Sequence, residues 1–268
     1  MSPKKGREVI CGVHATLAAL ARGPVRVKRL FIAPGRKGEL GTKAREMAQE
    51  EGISVDEIPT GRLDELAGSR QHQGMAVEVH PTPILTLDAF LEVLPLEKPP
   101  ILLLDGIQDP RNLGAILRTA AALGAGGALW PKDSAAELTS SVAKAAAGAI
   151  ESLPLACVTN MSRAVEAVKK AGYWAIAGDP EGEVVLGSGD ALPLPAALVL
   201  GSEGKGVRRL VRKNCDIGGR IPLSGGIVSS LNVSVAAGIL LCEIVSQAAK
   251  SNIIHGVPKK DNPDFAKA

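Results

Sequence analysis

The amino-acid sequence predicts an α/β protein in which a parallel sheet with helices on both faces follows a smaller α/β unit. From residue 101 onward, short apolar runs alternate with segments of helical periodicity, as in βαβ units. The run Ile101-Leu102-Leu103-Leu104 is apolar without alternation, which is typical of a strand buried on both faces. Five prolines between residues 81 and 100 separate this region from the first 80 residues.

These patterns predict four parts: an N-terminal unit at 1–80, a proline-rich linker at 81–98, a C-terminal domain at 99–250 and a loose tail at 251–268. In the N-terminal unit we expect helices at 14–21 and 42–51, the second ending at Gly52, and strands at Val27–Ile32, 53–55 and Met75–Val79. One short helix is expected in the linker, at 87–93. The C-terminal domain should contain strands at 101–104, 128–130, 153–158, 173–177 and 196–200, and helices at 113–123, 137–147, 162–171 and 231–249.

Cysteine and histidine positions argue against a disulfide framework and against a metal site. The four cysteines are far apart in sequence and form no CxxC pair, and the four histidines form no ligand cluster. This usage fits a reducing cytoplasm. The basic N-terminus is not followed by an apolar segment, and no run of 18 apolar residues occurs, so neither secretion nor a membrane span is expected.

The charge distribution is strongly asymmetric along the chain. Residues 1–45 carry a balance of +9, and residues 46–97 carry a balance of −9. The basic block could contact the phosphates of a nucleic acid, or it could be a solvated face that pairs with the acidic stretch. With only three Phe, two Trp and one Tyr, the chain cannot bind RNA through an extended aromatic stacking surface.

A first polar segment, 105–119, follows a strand and opens a helix, which places it at the sheet edge where α/β proteins bind ligands. Asn112 stands where a helix N-cap is expected, and capping is the structural explanation for it. Arg118 lies on a helix that is apolar nearly all round. A charge there needs a partner or points into a functional site, and we favour the site.

A second segment, 198–207, runs from a buried strand into a glycine-rich loop with the spacing GxxGxG. This spacing matches neither the dinucleotide-binding fingerprint nor a Walker A loop, which argues against a dehydrogenase or an NTPase. Glu203 could cap the next helix or belong to a site. Five cations between residues 205 and 213 could contact phosphates or form a solvated face: Lys205, Arg208, Arg209, Arg212 and Lys213.

A third segment, 221–236, leads from a polar loop into the very apolar last helix. Ser230 is the expected N-cap of that helix. Asn232 could satisfy backbone carbonyls in the first turn or contact a ligand.

Taken in order, the three segments resemble the three motifs of the SpoU/TrmH family of RNA ribose methyltransferases, in the SPOUT superfamily. The motifs read Asn-x-Gly-x-x-x-Arg-Thr, then Leu-Gly-Ser-Glu-Gly-x-Gly, then Ile-Pro-Leu followed by Ser-Leu-Asn-Val-Ser-Val-Ala. The stretches Gly12-Val13-His14-Ala15 and His72-Gln73-Gly74 resemble the ribosomal-protein-like substrate-binding domain of the family's ribosomal RNA members. The resemblance covers residues from about 8 to 248. One departure is an extra residue in the Gly225-Gly226 loop.

The resemblance implies a trefoil-knotted methyltransferase domain, a homodimer, S-adenosylmethionine (AdoMet) as cofactor and an RNA substrate. By position, it assigns five residues to cofactor contacts: Leu200, Gly201, Ile221, Leu223 and Leu231. It assigns catalysis to Arg118, with Asn112, Glu203, Ser230 and Asn232 orienting Arg118 and the ribose. Since arginine hardly ever loses its proton, we expect Arg118 to stabilise the developing alkoxide electrostatically, with the general base left open.

The expected substrate is ribosomal RNA, with a guanosine of the 23S RNA favoured because a separate N-terminal domain is present. Alternatives within the enzyme class are a transfer RNA methyltransferase and an antibiotic-resistance ribosomal methylase. An alternative from another class is a non-catalytic RNA-binding protein that retains the fold. The presence of Asn112, Arg118 and Glu203 argues against it.

Overall fold

The computed structural model describes residues 8–36, 38–133, 135–136, 138–188, 191–225 and 230–250. Within them the chain forms a four-stranded sheet and a seven-stranded sheet. The tail predicted at 251–268 and Gly226 of the loop that departs from the family pattern lie outside these residues.

The four-stranded sheet belongs to the N-terminal unit. Its strands are β1 (Glu8–Cys11), β2 (Val27–Ile32), β3 (Ser54–Glu57) and β4 (Met75–Val79). In the order β1-β4-β2-β3, β4 is antiparallel to both its neighbours and β3 is parallel to β2. The helices are α1 (Val13–Leu20), α2 (Glu39–Glu50) and α3 (Thr60–Ala67). The predictions of β2 and β4 are confirmed.

Helix α2 starts at Glu39, earlier than predicted, and α3 was not predicted. The end of α2 is confirmed, because Gly52 follows it with a φ of +66°, the left-handed conformation that glycine adopts most easily. In α3 only Leu63 is fully buried, against Phe31 and Ala76 on one face of the sheet. One buried side chain in eight residues is too weak a pattern to predict a helix.

All strand pairs of the seven-stranded sheet are parallel, as predicted. The strands are β5 (Ile101–Asp105), β6 (Gly127–Pro131), β7 (Leu155–Val158), β8 (Trp174–Gly178), β9 (Val184–Val185), β10 (Ala196–Gly201) and β11 (Ile217–Arg220). Their order is β7-β6-β5-β10-β8-β11-β9. Two of these strands were not predicted: β9, which has two residues, and β11, whose two central glycines hide any apolar pattern.

Seven helices of the described chain accompany this sheet. They are α4 (Leu87–Glu92), α5 (Pro110–Ala122), α6 (Ser140–Ala146), α7 (Ala149–Ser152), α8 (Met161–Lys170), α9 (Arg209–Asn214) and α10 (Val233–Lys250). The helix predicted near 137–147 is confirmed as α6, which starts at Ser140 and ends at Ala146 because Ala147 and Gly148 both have positive φ. The short helix α7 that follows was not predicted.

Helices cover both faces of the parallel sheet. Leu102 and Leu104 of β5 belong to the apolar cluster that includes residues of α5 and α10, whereas Ile101 and Leu103 belong to the cluster that includes residues of α8. This explains why β5 reads as an unbroken apolar run. The proline-rich segment is packed as well, because Phe90 of α4 is fully buried in the second cluster.

The last helix, α10, has the length and composition of a membrane-spanning helix, with a mean hydropathy of 1.4. Leu240, Leu241 and Ile244 pack in the core beside the sheet. Only 33% of the helix is buried, and Val235 and Ile239 are 49% and 40% exposed. A helix that is buried on one side only is a core helix with an uncovered apolar strip.

A buried ion pair joins the two domains. Arg26 precedes β2, and its Nε and Nη2 lie 2.8 Å and 2.9 Å from the carboxylate oxygens of Glu151 in α7. Both residues are buried, with 4% and 8% of their surface exposed. Nη2 also donates to Thr82 Oγ1 at 2.9 Å. The N-terminal unit therefore packs on α7 through charge as well as through apolar contacts.

Candidate active site

Three segments meet at the carboxyl edge of the parallel sheet, beside a cavity of about 980 Å³ that is lined by residues of the last two. They are the start of α5 after β5, the loop after β10 and the segment that leads into α10. Open α/β sheets bind their ligands at this edge. The cavity also includes residues 178–180, which follow β8 and were not predicted to belong to the site.

A chain of side-chain hydrogen bonds connects the three segments. Asn112 Nδ2 donates to Glu203 Oε1 at 2.5 Å, and Asn232 Nδ2 donates to Asn112 Oδ1 at 3.1 Å. Oδ1 of Asn232 accepts hydrogen bonds from the backbone nitrogen and the hydroxyl of Ser234, at 2.8 Å and 2.6 Å. Three of the five predicted catalytic residues therefore form one polar cluster, and Glu203 and Asn232 of this cluster line the cavity.

The start of α5 leaves the side chain of Asn112 available for this cluster. The prediction that Asn112 is the N-cap is wrong. Asp109 is the N-cap, its Oδ1 accepts from the backbone nitrogen of Arg111 at 2.8 Å, and Pro110 opens the helix. Hydrogen bonds from the Arg111 side chain and backbone lower the pKa of Asp109, so the cap stays ionised.

Close approach of backbone to backbone shapes the loop after β10. A Cβ on Gly201 would lie 1.8 Å from the carbonyl carbon of Gly206, because Ser202 and Gly206 pair as an antiparallel bridge. Gly204 and Gly206 have φ of +78° and +65°. Glu203 does not cap a helix but is held at the tip of this loop, where it reaches Asn112.

The start of α10 also differs from the sequence prediction. Asn232 directly precedes the helix, and its side chain caps the backbone nitrogen of Ser234, which is the role that was expected of Ser230. Ser230 is exposed and lines the cavity. The capping expectation for Ser230 is therefore wrong, and its side chain is free to face a ligand.

All five residues that the resemblance assigned to cofactor contacts line the cavity: Leu200, Gly201, Ile221, Leu223 and Leu231. Apolar side chains of α10, among them Val233 and Leu240, complete the walls. Ligand cavities typically measure roughly 300–1,000 Å³ and are mostly apolar with a few polar groups. The size and the lining therefore fit a nucleoside cofactor. Because Gly226 lies outside the described residues, the structure does not test the effect of the extra loop residue.

Arg118 stands apart from the cluster. It is exposed, it does not line the cavity, and it has no hydrogen-bond or ion-pair partner among the described residues. It lies six positions after Asn112, so its side chain points about 120° away around the helix axis. The expectation that Arg118 sits on a buried helix is wrong, because α5 has an exposed side that also carries Arg111.

Only part of the basic run at 205–213 faces solvent freely. Arg208 donates to the buried carboxylate of Asp105 from its backbone nitrogen at 2.9 Å and from Nε at 2.8 Å. Arg212 pairs with Asp179 and Glu183. Sequence reasoning missed these pairs. One signal was available, since an aspartate that ends an apolar strand needs a partner once it is buried.

In the N-terminal unit, the residues that carried the resemblance stabilise the local fold. Gln73 Oε1 accepts from the backbone nitrogen of Val13 at 3.2 Å, at the start of α1. His72 is buried, with Nε2 2.9 Å from Asp64 and Nδ1 2.9 Å from the backbone nitrogen of Gly74. The hydrogen bond between Val13 and Gln73 therefore connects the two motif stretches, which are 60 residues apart in sequence.

The basic block pairs in part with the acidic stretch. Arg29 lies 2.7 Å from Asp56, and Arg45 lies 2.6 Å from Glu57. These pairs support the alternative of a solvated, paired face for those two arginines. Among the described residues, no group of three His, Cys, Asp or Glu side chains is arranged to hold a metal ion.

Comparison with protein families gives two matches, one for each sheet. Residues 99–242 match the SpoU rRNA methylase family, and residues 9–84 match the substrate-binding domain of RNA 2′-O ribose methyltransferases. The chain belongs to the SpoU rRNA methylase family. The polar cluster and the cavity of this SpoU methylase lie entirely within the first match.

Relatives of this SpoU methylase are similar over nearly their whole length. It is 43% identical over 242 residues to the 23S rRNA (guanosine-2′-O-)-methyltransferase RlmB of Pseudomonas aeruginosa, covering 90% of this chain and 96% of the relative. It is 38% identical over 239 residues to the putative TrmH family tRNA/rRNA methyltransferase YacO of Bacillus subtilis, covering 88% and 94%. The crystal structure of the SpoU methyltransferase AviRb from Streptomyces viridochromogenes in complex with AdoMet superposes with a TM-score of 0.74 at 26% identity, covering 91% of each chain.

Proposed function

We propose that this enzyme transfers the methyl group of AdoMet to the ribose 2′-hydroxyl of a guanosine in 23S ribosomal RNA. The observation that carries the proposal is the hydrogen-bonded cluster of Asn112, Glu203 and Asn232, which joins all three family motifs beside one cavity. The RlmB relatives, which carry this activity in their names, match about 90% of the chain. An enzyme that acts on ribosomal RNA would be located in the cytoplasm.

The cavity would hold AdoMet against Leu200, Gly201, Ile221, Leu223 and Leu231. When bound, the cofactor supplies an electrophilic methyl group on a sulfonium. Backbone groups of the loop after β10 and of the segment at 221–223 can recognise polar edges of the cofactor, while the leucine and isoleucine side chains exclude water from it. A largely apolar wall suits the transfer, because desolvation strengthens the fixed dipoles around the reacting atoms.

A ribose 2′-hydroxyl is a weak nucleophile and must be oriented and polarised. Asn112, Glu203 and Asn232 of the cluster, together with Ser230 on the cavity wall, would hold the ribose at the mouth of the cavity, since they offer amide, carboxylate and hydroxyl groups. Alignment of this kind can contribute roughly 7–11 kcal/mol to a barrier reduction. Arg118 would stabilise the negative charge that develops on the attacking oxygen and on the adjacent phosphate.

Because Arg118 is exposed and turned away from the cluster, the assembly of the complete site would need an RNA strand or a second protomer. We infer a homodimer that forms over the uncovered strip of α10. Val235 and Ile239 lie one helical turn apart on this strip. The helix contacts α5, the helix of Arg118, with the Cβ position of Gly238 3.6 Å from Thr119 Cγ2. Replacing Ile239 by Asp should give monomers, which light scattering coupled to gel filtration detects.

We also propose that the methyltransferase domain is knotted and that the N-terminal unit binds the RNA. The family membership supports a trefoil knot. The position of β10 between β5 and β8 also supports it, since the loop after β10 meets the segment that leads into α10 at the cavity. The match of residues 9–84 to a substrate-binding domain supports the second assignment. The proposed boundaries are 1–80, 81–98 and 99–250, with the tail at 251–268.

The test incubates the protein with methyl-labelled AdoMet and, separately, with 23S RNA, 16S RNA and total transfer RNA, and then maps 2′-O-methyl nucleotides. The expected result is label on one guanosine of 23S RNA. The Arg118→Ala variant serves as the matched negative control. Label on transfer RNA alone would refute the proposed substrate, and label on none of the RNAs would refute the proposed activity.

A further inference from the structure

Arg212, in the middle of the basic run, is bound on two sides by carboxylates. Its Nε lies 2.7 Å from Asp179 Oδ2, and its Nη2 lies 2.9 Å and 3.0 Å from the two carboxylate oxygens of Glu183. The side chain of Arg212 is 26% exposed and that of Asp179 is 24% exposed. A half-buried guanidinium with all its contacts on carboxylates is poorly placed to bind a phosphate as well.

The two carboxylates belong to the turn at 178–183, which lies directly on strand β11. Glu183 accepts a hydrogen bond from the backbone nitrogen of Gly218 at 2.5 Å. A Cβ on Gly218 would lie 2.6 Å from Arg212 Nη2, and one on Gly182 would lie 2.6 Å from the carbonyl carbon of Gly218. Hydrogen bonds from its own backbone nitrogen, from Gly218 and from Arg212 lower the pKa of Glu183, which therefore stays ionised at neutral pH.

This turn is a wall of the cavity. Gly178, Asp179 and Pro180 line it, and so do Gly219 and Arg220 of the neighbouring strand β11. Both oxygens of the Asp179 carboxylate have a partner within the protein, since Oδ1 accepts from the backbone nitrogen of Glu181 at 2.9 Å and Oδ2 binds Arg212. Asp179 therefore connects Arg212 to the backbone of the turn that lines the cavity.

A second arginine of the run, Arg208, also pairs with a carboxylate, although its own side chain is 55% exposed. It follows the glycine-rich loop after β10 and binds the carboxylate of Asp105, whose side chain has no exposed surface. Arg209, between these two arginines, is exposed and has no partner among the described residues. The basic run thus contains two arginines that pair with carboxylates, Arg208 and Arg212, and one exposed arginine, Arg209, without a partner among the described residues.

We propose that Arg212 is a positioning residue for the cofactor: by bridging Asp179 and Glu183, it holds the turn at 178–183 in the conformation that binds AdoMet. This inference rests on the proposed location of AdoMet in the cavity. A turn that is already ordered loses less conformational entropy when the ligand binds, so the bridge increases affinity without touching the ligand. The role of Arg212 in the reaction is therefore in cofactor binding, whereas the solvent-facing Arg209 remains available for RNA.

The experiment titrates AdoMet into the full-length wild-type protein, Arg212→Met, Arg212→Lys and the matched control Arg209→Met, without RNA, in a calorimeter. Hydrogen bonds between charged groups are typically worth 1.5–3 kcal/mol, so the dissociation constant should rise about tenfold or more for Arg212→Met. Arg212→Lys should recover part of the loss, because lysine keeps the charge but not the planar fork. Arg209→Met should bind AdoMet like the wild-type protein.

Two further readouts separate positioning from a general structural effect and from RNA binding. With RNA as substrate, the KM for AdoMet should rise for Arg212→Met while kcat at saturating AdoMet stays within about twofold of the wild-type value. The salt dependence of RNA binding should be unchanged for Arg212→Met. Loss of a phosphate contact would instead reduce the slope by about one, which is the result we expect for Arg209→Met.

Wild-type affinity for AdoMet in Arg212→Met, or a reduced salt slope in that variant, would overturn the positioning role. If Arg212→Met does not fold, Glu183→Gln takes its place, because Glu183 is 60% exposed at its side chain and tolerates the change. Its dissociation constant for AdoMet should rise in the same direction, and an unchanged value would overturn the proposal. Failure of the wild-type protein to bind AdoMet would instead refute the proposed function itself.

Discussion

The side-chain amide nitrogen of Asn112 lies 2.5 Å from Oε1 of Glu203, although 91 residues separate the two in the chain. The same amide accepts, through its oxygen, a hydrogen bond from Asn232 at 3.1 Å. Asn112 thus uses its donor toward one family motif and its acceptor toward the other. An amide is the side chain that can do both at once, because it carries a donor and an acceptor side by side.

Replacing Asn112 by Asp should therefore reduce kcat strongly. A carboxylate cannot donate to Glu203, and the two negative charges would repel each other and displace the loop after β10. Misplacement of a site by about 1 Å can cost about a hundredfold in rate. Methyl transfer is measured under saturating AdoMet and RNA. Gln108→Glu adds the same charge to the exposed turn before α5 and should leave kcat near the wild-type value. Equal losses in both variants would point to a general charge effect.

Gly201 and Gly204 provide a matched pair for the loop that holds Glu203. A methyl group on Gly201 would meet the backbone of Gly206 at 1.8 Å, so Gly201→Ala must displace the loop and should abolish measurable AdoMet binding. Gly204 has a φ of +78° but open space around its Cβ position, so Gly204→Ala should cost only about 1–2 kcal/mol of local strain. Calorimetric titration with AdoMet compares the two, and similar affinities would show that the close approach is unimportant.

The sequence predicted those strands and helices whose apolar pattern is complete within the element itself. Runs such as Ile101–Asp105 report burial directly, so the parallel sheet and most of its helices could be predicted. The short strand β11 and the split between α6 and α7 could not, because they depend on glycines whose neighbours are distant in sequence. The ordered motifs identified the residues at the cavity, but not the bridges of Arg208 and Arg212, since their carboxylate partners lie 33 or 103 residues away.

Arg118→Ala should abolish methyl transfer while leaving both stability and AdoMet binding nearly intact. The side chain is exposed and has no partner among the described residues, so its removal leaves no buried charge and no cavity. Substitutions at such positions usually change stability by less than about 0.5 kcal/mol. Single-turnover methyl transfer, AdoMet titration and thermal melting measure the three quantities. A parallel loss of AdoMet affinity would mean that Arg118 contributes to cofactor binding.

The pair of Arg26 and Glu151 should be among the most sensitive polar contacts between the two domains. Glu151→Gln removes the closer and more buried of the two carboxylates that pair with a guanidinium of 5% side-chain exposure, and Glu8 remains 3.4 Å from it. Breaking a buried pair typically costs about 3–5 kcal/mol, and the remaining pair with Glu8 should keep the cost at the lower end of that range. The matched control is Asp56→Asn, which breaks the exposed pair with Arg29 and should cost at most about 1 kcal/mol. The free energy of unfolding in urea measures both.

A double variant distinguishes the loss of attraction from the cost of an uncompensated charge. Arg26→Met combined with Glu151→Leu removes both charges and fills similar space, so it should recover most of the stability that Glu151→Gln loses. If the recovered protein still methylates RNA at the wild-type rate, the pair serves only to join the domains. If stability returns but the KM for RNA rises, the pair also fixes the angle at which the N-terminal unit presents RNA to the cavity. The reason is that the bidentate geometry of the arginine side chain is directional, whereas apolar packing is not.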